Sequence, residues 1–436
     1  MNFHYKKVAK AICTVAAFTT VALANTVFAE DNNRFAIINA KVYTASDAGV
    51  LENATVVIEG KKIIGVHPEG EKSNPLTNMK VIVDAQGGIL TPGFISSMNS
   101  LGLVEVGAVS STRDGHDSKA NYTLDSSLAF NPRSTLIAYS RKGGITSNVV
   151  SASAGEGLFA GQTFVADLSG NANSIVAKQN AVTIHLGAKS KGSRAKALHE
   201  LEIALSDTSE ELAKADKKEQ SKKKQAEEKA KPTLKEQVKI DLLSGNKPLL
   251  AYANRASDIL VLLALKEQFK FDLVLVGASD AVLIKDDIAK AKVPVLMSPI
   301  NSLPGSFDSL HASLDNARVL NEAGIKVLFT PNGDAHNINQ LRFDAGVAVA
   351  NGFDYNEAIK AVTANVADVF NLNSGRIEVG KKANIVLWNN DPFELSSHVQ
   401  TMWINGVPTS TRSRQDALRE RYMSQSELPR SYSKIK

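Results

Sequence analysis

Leu90-Thr91-Pro92-Gly93-Phe94-Ile95 ends one kind of segment and opens another. Before it the chain reads as short strands. Phe35-Ala-Ile-Ile38 is followed by a turn and then by Ala54-Thr-Val-Val-Ile58, with Glu59-Gly60-Lys61 as a hairpin turn into Lys62-Ile-Ile64. Val81-Ile-Val83 and Ile89-Leu90 add more. The far end of the chain repeats the style in Asn384-Ile-Val-Leu-Trp388 and Thr401-Met-Trp-Ile404, and Asn405-Gly406 is a two-residue hairpin turn. Two strand-rich segments at opposite ends are expected to close one β-sandwich in space.

Past Ile95 the pattern changes. Apolar runs recur at Gly144 to Val150, Lys247 to Ala251, Leu273 to Val276, Val293 to Met297 and Lys326 to Phe329. Helix-like patterns lie between them, as in Ala256 to Lys266, Ser309 to Glu322 and Tyr355 to Phe370. Strands alternating with helices imply a parallel sheet, and this many units imply a barrel. A charged Ala/Glu/Lys-rich stretch at about 195–240 interrupts the pattern. Its Lys222-Lys223-Lys224 run, followed by Glu227 and Glu228, suits i,i+4 pairing on a solvated surface helix better than a basic patch for an anionic partner. The tail at 411–436 is polar and Arg-rich, with a helix expected from Arg414 to Met423.

The composition sets limits on class. With 436 residues, 43% hydrophobic and 22% charged, the chain is not disordered throughout. A net charge of +5 is mild, and nothing global argues for nucleic acid. Lys6, Lys7 and Lys10 precede an apolar stretch from Ala11 to about Ala24, and Val27-Phe28-Ala29 offers small residues at the −3 and −1 positions of a cleavage site. Residues 1–29 therefore read as a secretory signal, and the run is short for a membrane anchor. Cleavage would remove three lysines, His4 and the single cysteine, Cys13, and would lower the net charge to +2. The expected mature chain has no membrane span and no thiolate chemistry, and a periplasmic location follows.

The order of motifs resembles the amidohydrolase superfamily, in particular its imidazolonepropionase-like, exported branch. Leu90 to Ile95 is similar to the family's entry into its barrel, and Asn39-Ala40-Lys41-Val42-Tyr43 to its opening strand. Gly143-Gly144-Ile145-Thr146-Ser147 resembles its second barrel strand. Thr363-Ala364-Asn365-Val366-Ala367 resembles a characteristic helix. Gly375 to Val386, Asp391-Pro392 and Val399 to Gly406 look like the return to the sandwich. The resemblance covers roughly residues 35–410. It implies an α/β fold, a (β/α)8 TIM-type barrel at 91–374 carrying the charged helical insertion, with a small β-sandwich built from 30–90 and 375–410. Active sites of such barrels lie at the carboxyl ends of the strands.

The resemblance also implies hydrolysis of non-peptide C–N bonds by metal-activated water, with His-x-His on strand one, histidines on strands five and six, and an Asp on strand eight. In this sequence the His-x-His positions carry Met98 and Ser100, and the Asp that usually precedes them is Ser96. The strand-five position carries Tyr252, and the strand-six segment offers Ser279 but no His. Asp334 is the candidate for strand eight. Thioether, hydroxyl and neutral phenol do not replace imidazole for Zn²⁺. No cofactor is expected from these positions, and Zn²⁺ only at a rearranged site.

Two readings follow. In one, Asp334, His336, His116 and His185 converge as a relocated acid/base or metal site for hydrolysis. In the other the barrel is non-catalytic. It then binds a small molecule, or pairs with an intact related amidohydrolase or with a second copy. Glu105, Tyr252, Arg255 and Asp258 are the candidate ligand-binding residues, and a structural pairing of Asp258 with Arg255 is the alternative for those two. His67, His199, His311 and His398 read as sandwich, helix or surface residues.

Overall fold

The chain opens with five strands: β1 (Arg34–Tyr43), β2 (Val50–Glu59), β3 (Lys62–His67), β4 (Val81–Asp84) and β5 (Ile89–Pro92). Eight more follow: β6 (Phe94–Asn99), β7 (Ile145–Val150), β8 (Phe159–Asp167), β9 (Ile175–His185), β10 (Leu249–Ala253), β11 (Leu273–Gly277), β12 (Val295–Met297) and β13 (Val327–Phe329). β14 (Ile385–Trp388), β15 (Val399–Ile404) and β16 (Val407–Pro408) close the series. This is a computed structural model, and it describes residues 34–71, 76, 79, 81–152, 157–187, 193–221, 232–331 and 335–423. The expected signal at 1–29, the charge run at Lys222 to Glu228, and Asp334 lie outside the described residues.

Strands from both chain ends share one sheet in the order β16-β15-β14-β5-β1-β2-β3, with β4 beside β1. The expected two-ended β-domain is therefore present as a single hydrogen-bonded sheet. It curls until Lys62 of β3 bridges Lys382, just before β14. Alternation along β14 explains why this run is apolar throughout. Ile385 and Leu387 face the sheet's own core with Ile37, Ile58 and Trp403, while Val386 and Trp388 face the core shared with the barrel.

β6 to β13 form the second sheet, in sequence order. Each of the eight strands sends an apolar side chain inward, from Ile95 and Val149 through Leu250 to Leu296 and Leu328. The barrel is nearly closed: past β13, the Thr330 hydroxyl donates to the Ser97 carbonyl of β6 at 2.6 Å. The expected all-parallel barrel needs one correction, because β8 runs antiparallel to β7 and β9. Residues 168–174 join β8 to β9 as a hairpin, too short for a crossover helix.

Helices cover the barrel: α1 (Thr135–Ser140), α2 (Arg194–Ser221), α3 (Leu234–Leu243), α4 (Ala256–Phe269), α5 (Lys285–Lys290), α6 (Asn316–Glu322), α7 (Leu341–Ala350), α8 (Tyr355–Ala361) and α9 (Ala364–Val369), with α10 (Arg414–Met423) near the end. The expected solvated helix at 195–240 is only half so. Ala197, Leu201 and Leu205, four residues apart, are buried on one face of α2. The run expected as one helix from Tyr355 breaks before α9, whose Asn365 side chain donates to the Val327 carbonyl of β13 at 2.8 Å.

The sheet and barrel meet where β5 becomes β6 with only Gly93 between them. A Cβ at Gly93 would lie 2.2 Å from the Thr146 side chain, so the two strands approach only because residue 93 has none. Trp388 packs on Phe94 with ring centroids 5.5 Å apart, and its indole N–H donates to Thr91 Oγ1 at 3.0 Å. Arg342 of α7, itself buried, donates to the Pro392, Glu394 and Ser397 carbonyls at 2.7, 2.7 and 2.8 Å. Burial pulls its pKa down to about 10, against the opposing pull of Asp391.

Trp388→Ala should therefore cost about 3–5 kcal/mol, the range for deleting a buried aromatic. Urea unfolding followed by circular dichroism measures this. A loss under about 1 kcal/mol, the size of an ordinary mutation, would show that the junction does not depend on this packing.

Candidate functional site

The carboxyl ends of the barrel strands enclose a cavity of about 400 Å³. Its shape begins with backbone irregularities. β6 shifts register between Ser97 and Asn99, and Met98 between them has φ +56°. This bulge points Met98 at the cavity. Asn99 turns the other way, its amide donating to Ser96 Oγ at 3.0 Å and to Asn148 Oδ1 at 2.8 Å. Where β11 ends, Gly277 at φ +85° and Ala278 at φ +50° bend the chain so that Ser279 faces the same space.

Tyr252 at the end of β10 forms the opposite wall. Burial alone raises its phenol pKa well above the ordinary value, so it is a neutral hydroxyl. Its ring meets the edge of His185, the cross-strand partner on β9, at 4.6 Å. Asn254 Oδ1 accepts from the Ser279 backbone N–H and hydroxyl at 3.4 Å each. The Ser298 hydroxyl is buried with no hydrogen-bond partner among the described residues. Met297, Val276, Leu186 and Leu303 supply apolar wall. None of the described lining residues carries a charge.

The segment after β12 roofs this cavity and is held from two sides. Asp308 pairs with Arg194 of α2 and, at 2.9 Å, with Arg255; Arg194 also pairs with buried Asp258 at 3.0 Å. A Cβ at Gly187 would lie 2.7 Å from Asp308, so the clamp needs glycine there. On the other side His311 Nδ1 lies 2.8 Å from Asp280 Oδ1.

The residues expected to form one site are dispersed. Tyr252, Met98 and Ser279 line the cavity, but Ser100 does not, because the bulge ends the alternation that would have aligned it with Met98. Glu105 accepts from Asn131 and Ser134, each at 2.9 Å, and braces the loop before α1. Arg255 and Asp258 belong to the clamp, and their expected mutual pairing is replaced by Asp308 and Arg194. His116 and His336 are exposed and outside the lining, so His116, His185 and His336 form no cluster there. Asn254, Ser298 and the Asp308 clamp were missed, although Asn254 could have been found from its place just past a barrel strand.

The amidohydrolase family pattern matches residues 261–409. An amidohydrolase from Thermotoga maritima MSB8 superposes with TM-score 0.76 at 22% identity, over 86% of this chain and 99% of that one. Residues 261–409 therefore resemble the amidohydrolase family, and the chain as a whole shares the fold of a solved amidohydrolase. Other solved structures are more distant likenesses of fold. Ochratoxinase from A. niger has TM-score 0.54 and 16% identity, over 86% of this chain and 95% of that one. A mutant atrazine chlorohydrolase from Arthrobacter aurescens TC1, solved with zinc and atraton, has TM-score 0.52 and 16% identity, over 88% and 98%. No curated protein is matched by the sequence.

The resemblance raises the question of whether these residues fit a divalent metal. Among the described residues no group of three or more His, Cys, Asp or Glu side chains is placed to hold one. The cavity offers thioethers, an un-ionised phenol, hydroxyls and amides, and this neutral donor set does not fit Zn²⁺.

Asp308→Ala removes two arginine contacts at once. The arginine side chains are 31% and 41% exposed, so solvent screening holds the cost to about 1–2 kcal/mol. Amide exchange across residues 301–312 should quicken by about tenfold, which is 1.4 kcal/mol of local stability. Unchanged exchange there would mean that the roof is held by its own turns.

Proposed function

We propose that this chain uses the amidohydrolase fold to bind an uncharged, amphipathic small molecule and does not carry out metal-assisted hydrolysis. The observation that carries the reading is the cavity itself. Met98, Tyr252 and Ser279, which occupy the ligand positions implied by the superfamily motifs, face it, and no charged described residue does. A ligand with ionised groups would lose hydration without gaining a partner, whereas a neutral one can use the Tyr252, Ser279, Ser298 and Asn254 polar groups against an apolar wall. The hydrolytic alternative built on Asp334, His116, His185 and His336 lacks comparable support, since His116 and His336 are exposed outside the lining.

On the same proposal the chain is exported through residues 1–29 and acts in the periplasm, alone or beside a histidine-complete relative or a second copy. Support is the Lys6 to Ala29 pattern, together with the fact that no described helix is long and apolar enough to cross a membrane.

Protein purified without chelator should carry Zn, Mn, Ni and Fe each far below one per chain by elemental analysis. Stoichiometric metal would defeat the proposal. The bulge adds a sharper test. Met98→His with Tyr252→His should raise zinc affinity over the parent chain, and adding Ser100→His should change it by less than about tenfold, or 1.4 kcal/mol, because residue 100 is off the cavity. A large further gain from the third histidine would mean that β6 is straight in solution.

A further inference from the structure

Away from the strand-end cavity, a space of about 850 Å³ gathers Lys326, Lys360 and Arg376, but each is matched by a carboxylate. Lys326 and Arg376 share Asp368 at 3.1 and 2.7 Å, and Lys360 meets Glu357 at 2.8 Å. A second space, of about 630 Å³, is different. It lies at the amino end of β9, away from the strand-end cavity, between the β8–β9 hairpin and the β15–β16 hairpin.

Its cations are Lys61, Arg141 and Lys382, and Asp167 is its one described acid. Asp167 is already engaged, with Oδ2 accepting from Asn405 Nδ2 at 2.9 Å and Oδ1 from the Ser169 N–H at 3.0 Å. Neither Lys61 nor Lys382 pairs with a described carboxylate. Their backbones are fixed side by side: the Ala383 N–H donates to the Lys61 carbonyl at 2.9 Å, and Lys62 bridges Lys382.

Arg141 supplies the decisive feature. It is 9% exposed. Nε donates to the Leu168 carbonyl at 2.6 Å and Nη1 to the Ser410 carbonyl at 2.9 Å, which leaves Nη2 on the cavity wall with no described acceptor. Gly170, at φ +81°, keeps that nitrogen uncovered, since a Cβ there would lie 3.0 Å from it. Burial lowers the Arg141 pKa, and the Asp167 carboxylate opposes this.

The geometry points to a binding site for a small phosphate monoester in this cavity, its dianion held by Arg141 Nη2 and the Lys61 and Lys382 ammonium groups. Three cations against one carboxylate leave an excess of two positive charges, which a dianion neutralises. A guanidinium fixed by two carbonyls gives a directed bond to one phosphate oxygen, while the lysines act as mobile point charges. Asn171, Asn173 and Thr409 on the same wall can serve the remaining oxygens. The volume exceeds what phosphate alone needs and leaves room for the alcohol part of an ester.

The test titrates the full chain with inorganic phosphate and with glycerol phosphate at low ionic strength, with matched chloride as control, by calorimetry and thermal unfolding. Saturable binding of both anions is expected, with the ester at least as tight and chloride inert. Lys61→Ala with Lys382→Ala should weaken binding at least tenfold, and raising salt to about 0.2 M should weaken it further. This pair decides the matter, because Arg141→Gln also removes the bonds to Leu168 and Ser410 and threatens folding. Absence of saturable binding, or equal binding by the lysine pair variant, overturns the proposal. Binding of phosphate with exclusion of the ester overturns the ligand class.

Discussion

The close approach of Gly93 to Thr146 fixes the relation of everything else. A strand leaves the terminal sheet and enters the barrel across one residue, and no side chain fits there. With β5 and β6 so joined, β14 can pair along β5 while Trp388 lies against Phe94, and the shared core forms between sheet and barrel. Arg342 completes the joint by drawing three carbonyls of the segment after β14 onto α7. A buried guanidinium is costly to desolvate, and this one offsets the cost by filling acceptors that would otherwise lack donors.

At the other end of the strands the same fold carries unusual chemistry. The backbone irregularities at Met98 and Ala278 aim a thioether and a hydroxyl into a space with no described charge. Left-handed backbone at residues other than glycine costs free energy, so surrounding structure must hold it. Here the Asn99–Asn148–Ser96 hydrogen bonds supply that hold on one side and the Asn254–Ser279 contacts on the other. The roof is kept by charge, with Asp308 between two arginines, so the electrostatics of this face lie around the cavity and not inside it.

Much of the fold was legible because most barrel strands are apolar runs and the turn at Asn405-Gly406 needs left-handed residues, which both adopt. The β8–β9 hairpin was hidden because polar residues interrupt its buried apolar positions. Thr163 bonds Asn180 at 2.8 Å and Gln162 accepts from Lys247 at 3.0 Å, so the strands do not read as core. Tyr252, Met98 and Ser279 could be aligned from the motifs, since each sits at a strand end. The clamp could not be, because Arg194 and Asp308 are 114 positions apart and only the folded chain shows that they meet.

The bond from Trp388 to Thr91 spans 297 positions, and it has a consequence for the order of events during synthesis. β1 to β5 cannot complete their sheet until β14 to β16 have been made, so the first strands wait with an open edge while the whole barrel is translated. Loop closure over such a distance is entropically slow, and waiting strand edges are the usual starting point for aggregation. A chain of this design matures late and all together. Premature termination between Phe329 and Trp388 would leave a barrel lacking its partner sheet and a set of amino-terminal strands lacking theirs.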